Sequence, residues 1–214
     1  MIIGFAGKAA SGKTTAARFL RDQLGDRLEI LPMARMLREE VADFLRAVGV
    51  ADRVPLVYGD QADKVRVFTI DSDAARARCS EWEGFITLNR DIQTDNGATA
   101  VTVRRLLQWW GTEYRRAQNP DYWTQAWEKK LRDFDLEHIH ILVDDVRFRN
   151  ELEVIKKNGG LFVKIKRAGF DGANNHSSEN SLDDFDQWDI VIHNNGSLEQ
   201  FLEQITARVL PLLG

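Results

Sequence analysis

The segment Gly7-Lys8-Ala9-Ala10-Ser11-Gly12-Lys13-Thr14 constrains this chain more than any other. It satisfies the pattern G-x-x-x-x-G-K-[ST], and each fixed position has a physical reason. Gly7 and Gly12 permit a backbone path that turns successive amide N–H groups inward. A helix beginning at Lys13 adds its positive N-terminus. Lys13 reaches the β- and γ-phosphates of a triphosphate as a point charge, and the Thr14 hydroxyl is placed to ligate Mg²⁺. Four constrained positions recur by chance on the order of once in a hundred chains of this length. Context lowers that further. Residues 2–6 read as an apolar strand running into the loop. Residues 13–24 read as a helix with Ala16, Ala17, Leu20 and Leu24 on its buried side.

The same alternation continues at both ends of the chain. Residues 28–31 read as a second strand stopped by Pro32, and residues 33–48 as an amphipathic helix. Near the C-terminus, strands are expected at 138–143, 161–166 and 189–193. Helices are expected at 149–157 and after Ser197, which has Gln200 three residues on as a capping box. The final helix carries Leu198, Phe201, Leu202, Ile205 and Val209 as its apolar stripe. Alternation of this kind predicts a parallel sheet with helices on both faces. Ligands of such sheets bind beyond the carboxyl ends of the strands, where the glycine loop emerges.

The length of 214 residues suits one α/β domain, or one with a sizeable insertion. A formal net charge of −4 argues against a nucleic-acid polymer as main partner. The single cysteine, Cys79, reads as an ordinary unpaired thiol, which fits a reducing cytoplasm. No apolar run approaches the roughly 20 residues that span a bilayer, and the first residues are too short for a signal-peptide core. A cytoplasmic protein with no membrane partner is the expectation.

A second acidic feature joins the loop. The apolar run 139–143 ends in Asp144-Asp145. Carboxylates at such a strand end either cap a helix or, beside a phosphate loop, hold Mg²⁺ or orient an acceptor. The residues do not decide which of the two serves the metal. Arg147 follows and is suited to clamp a phosphate bidentately. Arg149 and Glu151 read as solvated charges at a helix start.

Residues 101–117 read as one amphipathic helix, with Val103, Leu107, Trp110 and Tyr114 on its apolar face. Beside that face runs a polar row, Arg104, Gln108, Gly111 and Arg115. It is either a solvated face or part of a nucleotide site. Trp110 reads as core, and Trp109 is left open. Residues 122–134 read as a further helix. Between 50 and 100 the pattern is weak. Strands at 65–70 and 84–88 are expected, with loop or short helix between them.

Taken together, the motifs resemble the phage-type deoxynucleoside monophosphate kinases. The resembling pieces are GFAGKAASGKTTAA, VTVRRLLQWWGTEYRR with NPDYW, VDDVRFRNELEVIKKNGG, HSSE and DIVIHNNGSLEQF, in that order. Residues 50–100 add nothing to the resemblance. It implies an adenylate-kinase-like P-loop fold: a three-layer α/β sandwich with a parallel sheet of about five strands. A mostly helical acceptor-binding insertion at about 33–120 and a lid-like loop at about 168–186 would complete one domain. It implies Mg²⁺-assisted, in-line phosphorylation of deoxynucleoside 5′-monophosphates by ATP. Gly7, Lys8, Ala9, Ala10, Ser11, Gly12, Lys13, Thr14 and Thr15 would hold the ATP phosphates, and Thr14 and Asp144 the metal. Lys13, Asp145 and Arg147 would be catalytic. Arg35, Arg38, Arg104, Gln108 and Glu113 would belong, with Arg147, to the acceptor side. Lys166, Arg167 and His176 would belong to the lid. Competing expectations are a dephospho-coenzyme A kinase or other small-molecule kinase, a nucleotide-dependent binding module, and a nucleic-acid 5′-kinase. The bases accepted and the oligomeric state, a homodimer included, stay open.

Overall fold

The structure, a computed structural model, describes residues 1–92, 97–169 and 181–214. It divides into two units, each with its own core. One is formed by Met1–Met33 and Thr124–Gly214, the other by Ala34–Trp123.

The first unit is built on a five-stranded parallel sheet. Its strands are β1 (Ile2–Ala6), β2 (Leu28–Ile30), β5 (His140–Val146), β6 (Leu161–Lys166) and β7 (Ile190–His193), in the order β2-β5-β1-β6-β7. β1 is buried on both faces, as a central parallel strand must be, and it reads as a continuous apolar run. Ile3 and Phe5 pack on one face with helices α1 (Lys13–Leu24) and α9 (Leu198–Arg208). α8 (Arg149–Lys157) approaches β1 from the other face, where Ile155 Cδ1 lies 2.9 Å from a Cβ built on Gly4. The sheet register places the ends of β5, β1 and β6 side by side, with Ala6 opposite Val146 on one flank and Lys164 on the other. The glycine loop therefore leaves the middle of the sheet's carboxyl edge.

Two readings in this unit are corrected. Glu151 is not a solvated charge; it is buried, because its carboxylate accepts from the amides of Arg147 and Phe148 at 2.7 and 3.1 Å. Leu198 opens the final helix but lies outside its buried stripe, being 61% exposed. The Ser197–Gln200 capping box is present.

The second unit contains α2 (Ala34–Ala47), α3 (Val54–Tyr58), β3 (Val67–Asp71), α4 (Ser72–Arg78), α5 (Trp82–Leu88), β4 (Ala98–Thr102) and α6 (Val103–Trp109). α7 (Tyr122–Leu131) starts at its end. The expected strand at 84–88 is instead α5. Trp82 and Phe85 share one helical face and stack at 4.6 Å, so burial of that face outweighs local β preference. The true partner of β3 is β4, antiparallel from Val67↔Thr102 to Asp71↔Ala98.

The helix expected from residue 101 starts later, because Thr102 ends β4 and caps α6 by accepting from the Arg105 amide. α6 then widens into a π-helix over Trp110–Arg116. An i→i+5 turn shifts the faces, so a 3.6-residue pattern drawn through it fails. Val103, Leu106, Trp109, Trp110 and Gly111 are the buried residues, while Leu107 and Tyr114 are partly buried. Trp109 is core: it stacks on Tyr114 at 5.2 Å and meets Trp82 edge-on. The Gly111 carbonyl accepts from the Trp123 indole at 3.0 Å, so this glycine serves core packing.

Candidate functional site

The glycine loop joins β1 to α1. A Cβ on Gly7 (φ 153°) would stand 2.3 Å from the Ile165 carbonyl oxygen, and one on Gly12 (φ 111°) 2.7 Å from Asn194 Nδ2. Ala10 also takes positive φ, at 59°. A non-glycine residue there is uncommon and costs strain, which the surrounding bonds must hold in place. Those bonds are specific. Asn194 Nδ2 donates to the Ser11 carbonyl at 2.9 Å, and Arg167 donates to the Ala10 carbonyl at 3.2 Å. The Lys13 ammonium donates to the carbonyls of Gly7 and Lys8 at 2.7 and 2.9 Å. The Ser11 hydroxyl is buried and has no hydrogen-bond partner among the described residues. An orphaned hydroxyl inside such a loop is the kind of exception that marks a ligand site.

A pocket of about 420 Å³ borders the loop, lined by residues 10–15 with Arg167, Asn194, Gly196, Leu198 and Phe201. That volume lies within the range of small-molecule sites. Thr15 lines it; Ala9 is exposed beside it. Asn194, Gly196 and Leu198 join the pocket without having been singled out as site residues in the sequence. The signal that finds them is topological: they follow the carboxyl end of β7, on the edge that carries the loop.

The acidic pair is split by its surroundings. Thr14 Oγ1 donates to Asp144 Oδ2 at 3.3 Å, so a hydroxyl and a carboxylate oxygen stand together beside the loop. Asp145 Oδ1 accepts from the Met33 amide at 2.7 Å. Asp144 thus stands beside Thr14, and Asp145 against the chain after β2. Arg147 is exposed, its backbone fixed by Glu151 and by the Ser181 hydroxyl, which donates to its carbonyl. Arg149 stays at the surface and pairs with Asp184 at 2.7 Å. Lys166 is exposed, and its carbonyl accepts from the Asn194 amide. His176 lies outside the described residues.

The remaining expected residues belong to the second unit. Arg35 pairs with Glu39 at 3.2 Å along α2. Gln108 and Glu113 are exposed. Arg104 donates to Gln61 at 2.5 Å. Arg38, Arg104 and Lys64 share one neighbourhood: the Lys64 ammonium is pushed below its ordinary range by burial, and further by Arg38 and Arg104. Lys64 carried no motif and went unremarked in the sequence. Arg115 is withdrawn from the polar row. It pairs with Glu40 at 2.9 Å and lies over the Tyr114 and Tyr122 rings. Cys79 is buried, and burial pushes its thiol up, as an inert structural thiol requires. Among the described residues no helix is long and apolar enough to cross a membrane.

The chain is similar to known proteins in two comparisons. The family described as deoxynucleotide monophosphate kinase matches residues 53–205. A protein of Acanthamoeba polyphaga mimivirus, named provisionally a deoxynucleotide monophosphate kinase, is 30% identical over 221 residues. That alignment covers 98% of this chain and 96% of the relative.

Proposed function

Because the chain belongs to the deoxynucleotide monophosphate kinase family, we propose that it moves the terminal phosphoryl group of ATP, in line, onto a deoxynucleoside 5′-monophosphate, with Mg²⁺ as cofactor. The observation that carries the donor half is the loop itself, with its pocket between residues 10–15 and the segment after β7. The loop amides and the start of α1 bind the donor phosphates. Lys13, held at the loop by two carbonyls, is within reach of the charge that develops on the transferred group and leaving oxygen. Arg167, bonded to the loop at Ala10, borders the same pocket and completes the donor side with Lys166.

The residues present suit a hard divalent cation. Thr14 Oγ1 and Asp144 Oδ2 are adjacent oxygen donors of the kind Mg²⁺ takes with phosphate oxygens. A cation held by Thr14 and Asp144 would supply neutralisation of phosphate charge there. Asp145 fixes the end of β5 through the Met33 amide, and Arg147 orients the acceptor phosphate from the turn that follows. The acceptor is already an anion, so no strong general base is needed. Arg35, Arg38, Arg104, Gln108 and Glu113 of the second unit serve acceptor recognition.

A coupled ADP-release assay with ATP, Mg²⁺ and a panel of acceptors tests the reading. Turnover of at least one deoxynucleoside monophosphate is the expected result. Turnover of dephospho-coenzyme A alone would replace it with another small-molecule kinase. ATP consumption that no acceptor stimulates would reduce the chain to a binding module.

A further inference from the structure

A second, smaller pocket borders the loop, lined by Gly7, Lys8, Val146, Arg147, Lys164, Leu182 and Asp183. It shares no lining residue with the donor pocket. Loop residues 7 and 8 face this one, and residues 10–15 face the other. Its cations come from three adjacent strand ends: Lys8 follows β1, Arg147 follows β5, and Lys164 belongs to β6. One carboxylate stands among them. Asp183 binds the Lys8 ammonium through both oxygens, at 2.7 and 2.8 Å. The Lys164 ammonium lies 4.7 Å from the centre of the Trp188 ring. Burial pushes Lys164 below its ordinary range and Lys8 and Lys166 push the same way, while Asp183 opposes them. Three cations thus line this pocket together with the Asp183 carboxylate. The space that remains is about 20 Å³. That holds roughly one water and no phosphate.

We propose that Lys8, Arg147 and Lys164 form the subsite for the acceptor's phosphate group, and that Asp183 is an internal carboxylate which this phosphate displaces. The assignment rests on the nucleotide-kinase reading of the first unit. Transfer between two nucleotides needs two phosphate sites that meet at the loop, and the two pockets supply them. A phosphate dianion offers more charge and more acceptor oxygens than the carboxylate it replaces. Lys164 also gains a partner better than an indole face. Lys8 thereby moves from the donor phosphates to the acceptor.

The test is calorimetric titration of the full chain with deoxynucleoside 5′-monophosphates and with inorganic phosphate, ATP absent. Lys164→Met should weaken monophosphate binding by about tenfold or more, the loss of one charge-assisted hydrogen bond. Lys164→Arg should restore most of it. Asp183→Asn should tighten it, by removing the competitor. ATP affinity should stay within about twofold in all three, as expected of a residue bonded to the other ligand. Trp188 fluorescence should change on monophosphate binding in the wild type and not in Lys164→Met. Unchanged monophosphate binding in Lys164→Met, weaker binding in Asp183→Asn, or a loss confined to ATP would each overturn the proposal. So would a wild type that binds neither monophosphate nor phosphate. If Lys164→Met does not fold, Asp183→Asn decides alone. Lys164-dependent binding without turnover would sink the kinase reading and leave the subsite standing. Turnover indifferent to Lys164 and Asp183 would do the reverse.

Discussion

A single carbon atom separates the roles of the two loop glycines. At Gly7 a Cβ would collide with a backbone oxygen of β6, which cannot yield without disturbing the sheet. At Gly12 it would meet the end of the Asn194 side chain, which can shift at the cost of its bond to the Ser11 carbonyl, and the Phe201 ring at 3.1 Å. Both positions carry strained φ for an L-residue. Gly7→Ala should therefore cost more stability, about 2–4 kcal/mol, than Gly12→Ala, at about 1–2 kcal/mol. Urea titration of the two variants checks the order; equal costs would mean that φ and not the collision decides. Lys13 poses the opposite case, a residue whose loss should spare the fold. Its bonds to the Gly7 and Lys8 carbonyls stay within its own loop, so Lys13→Ala should leave the urea midpoint nearly unchanged. Turnover should fall by about 10²–10³-fold, the scale of removing one group that stabilises developing phosphate charge. A folded variant with near-normal turnover would strip Lys13 of its assigned role.

Elements differ in how far local pattern determines them. Glu40 of α2 accepts from the Trp110 indole and Arg115, both at 2.9 Å, and from the Tyr122 hydroxyl. This carboxylate ties α2 to both ends of the π-turn region. Tyr122 is pushed up to about 12, by burial first and then by its bond to Glu40. An unfolded tyrosine titrates near 10. Below about pH 10 both states keep the proton, and the contribution to stability is whole. Between about 10 and 12 the unfolded chain gives it up first, so stability falls as pH rises, and the loss is complete above the folded value. Tyr122→Phe should flatten that decline in thermal melts between pH 10 and 12; an unchanged slope would assign it to other groups. The π-turn also shows where sequence stops being informative. β1, the loop, α1, β5 and α8 were legible because parallel strands are apolar throughout and their helices hold one period. Residues 98–116 were not, because Thr102 both ends a strand and caps a helix, and the widened turn breaks the period at Trp110. Glu151 was misread for a simpler reason: nothing in a sequence tells a buried capping carboxylate from a solvated one. At the site, the loop was legible from spacing, whereas Asn194 and Asp183 depend on which strand ends lie side by side, and Lys64 on the packing that brings Arg38 and Arg104 to it.

At the scale of the whole molecule, two separate cores carry the fold. One gathers Ile3, Phe5, Leu20, Leu142, Phe201 and Ile205 around the parallel sheet. The other gathers Phe44, Trp82, Phe85, Trp109 and Trp110. The first draws on both ends of the sequence, the second on one continuous stretch of 90 residues, 34–123. Cores without shared residues are expected to open as separate cooperative sets in native-state hydrogen exchange. The donor pocket and every residue of the loop lie in the first unit. ATP present at 100 times its dissociation constant should therefore raise the opening free energy of amides in 1–33 and 124–214 by about 2.7 kcal/mol. Amides of 34–123 should respond to Glu40→Ala instead, since the Glu40 bonds all lie within that unit. The two perturbations together form the test. If ATP and Glu40→Ala each shifted every slow amide equally, the chain would open as one body, and the two cores would be a geometric division without an energetic one. Separate responses would show that ATP stabilises one unit while the other keeps a stability of its own.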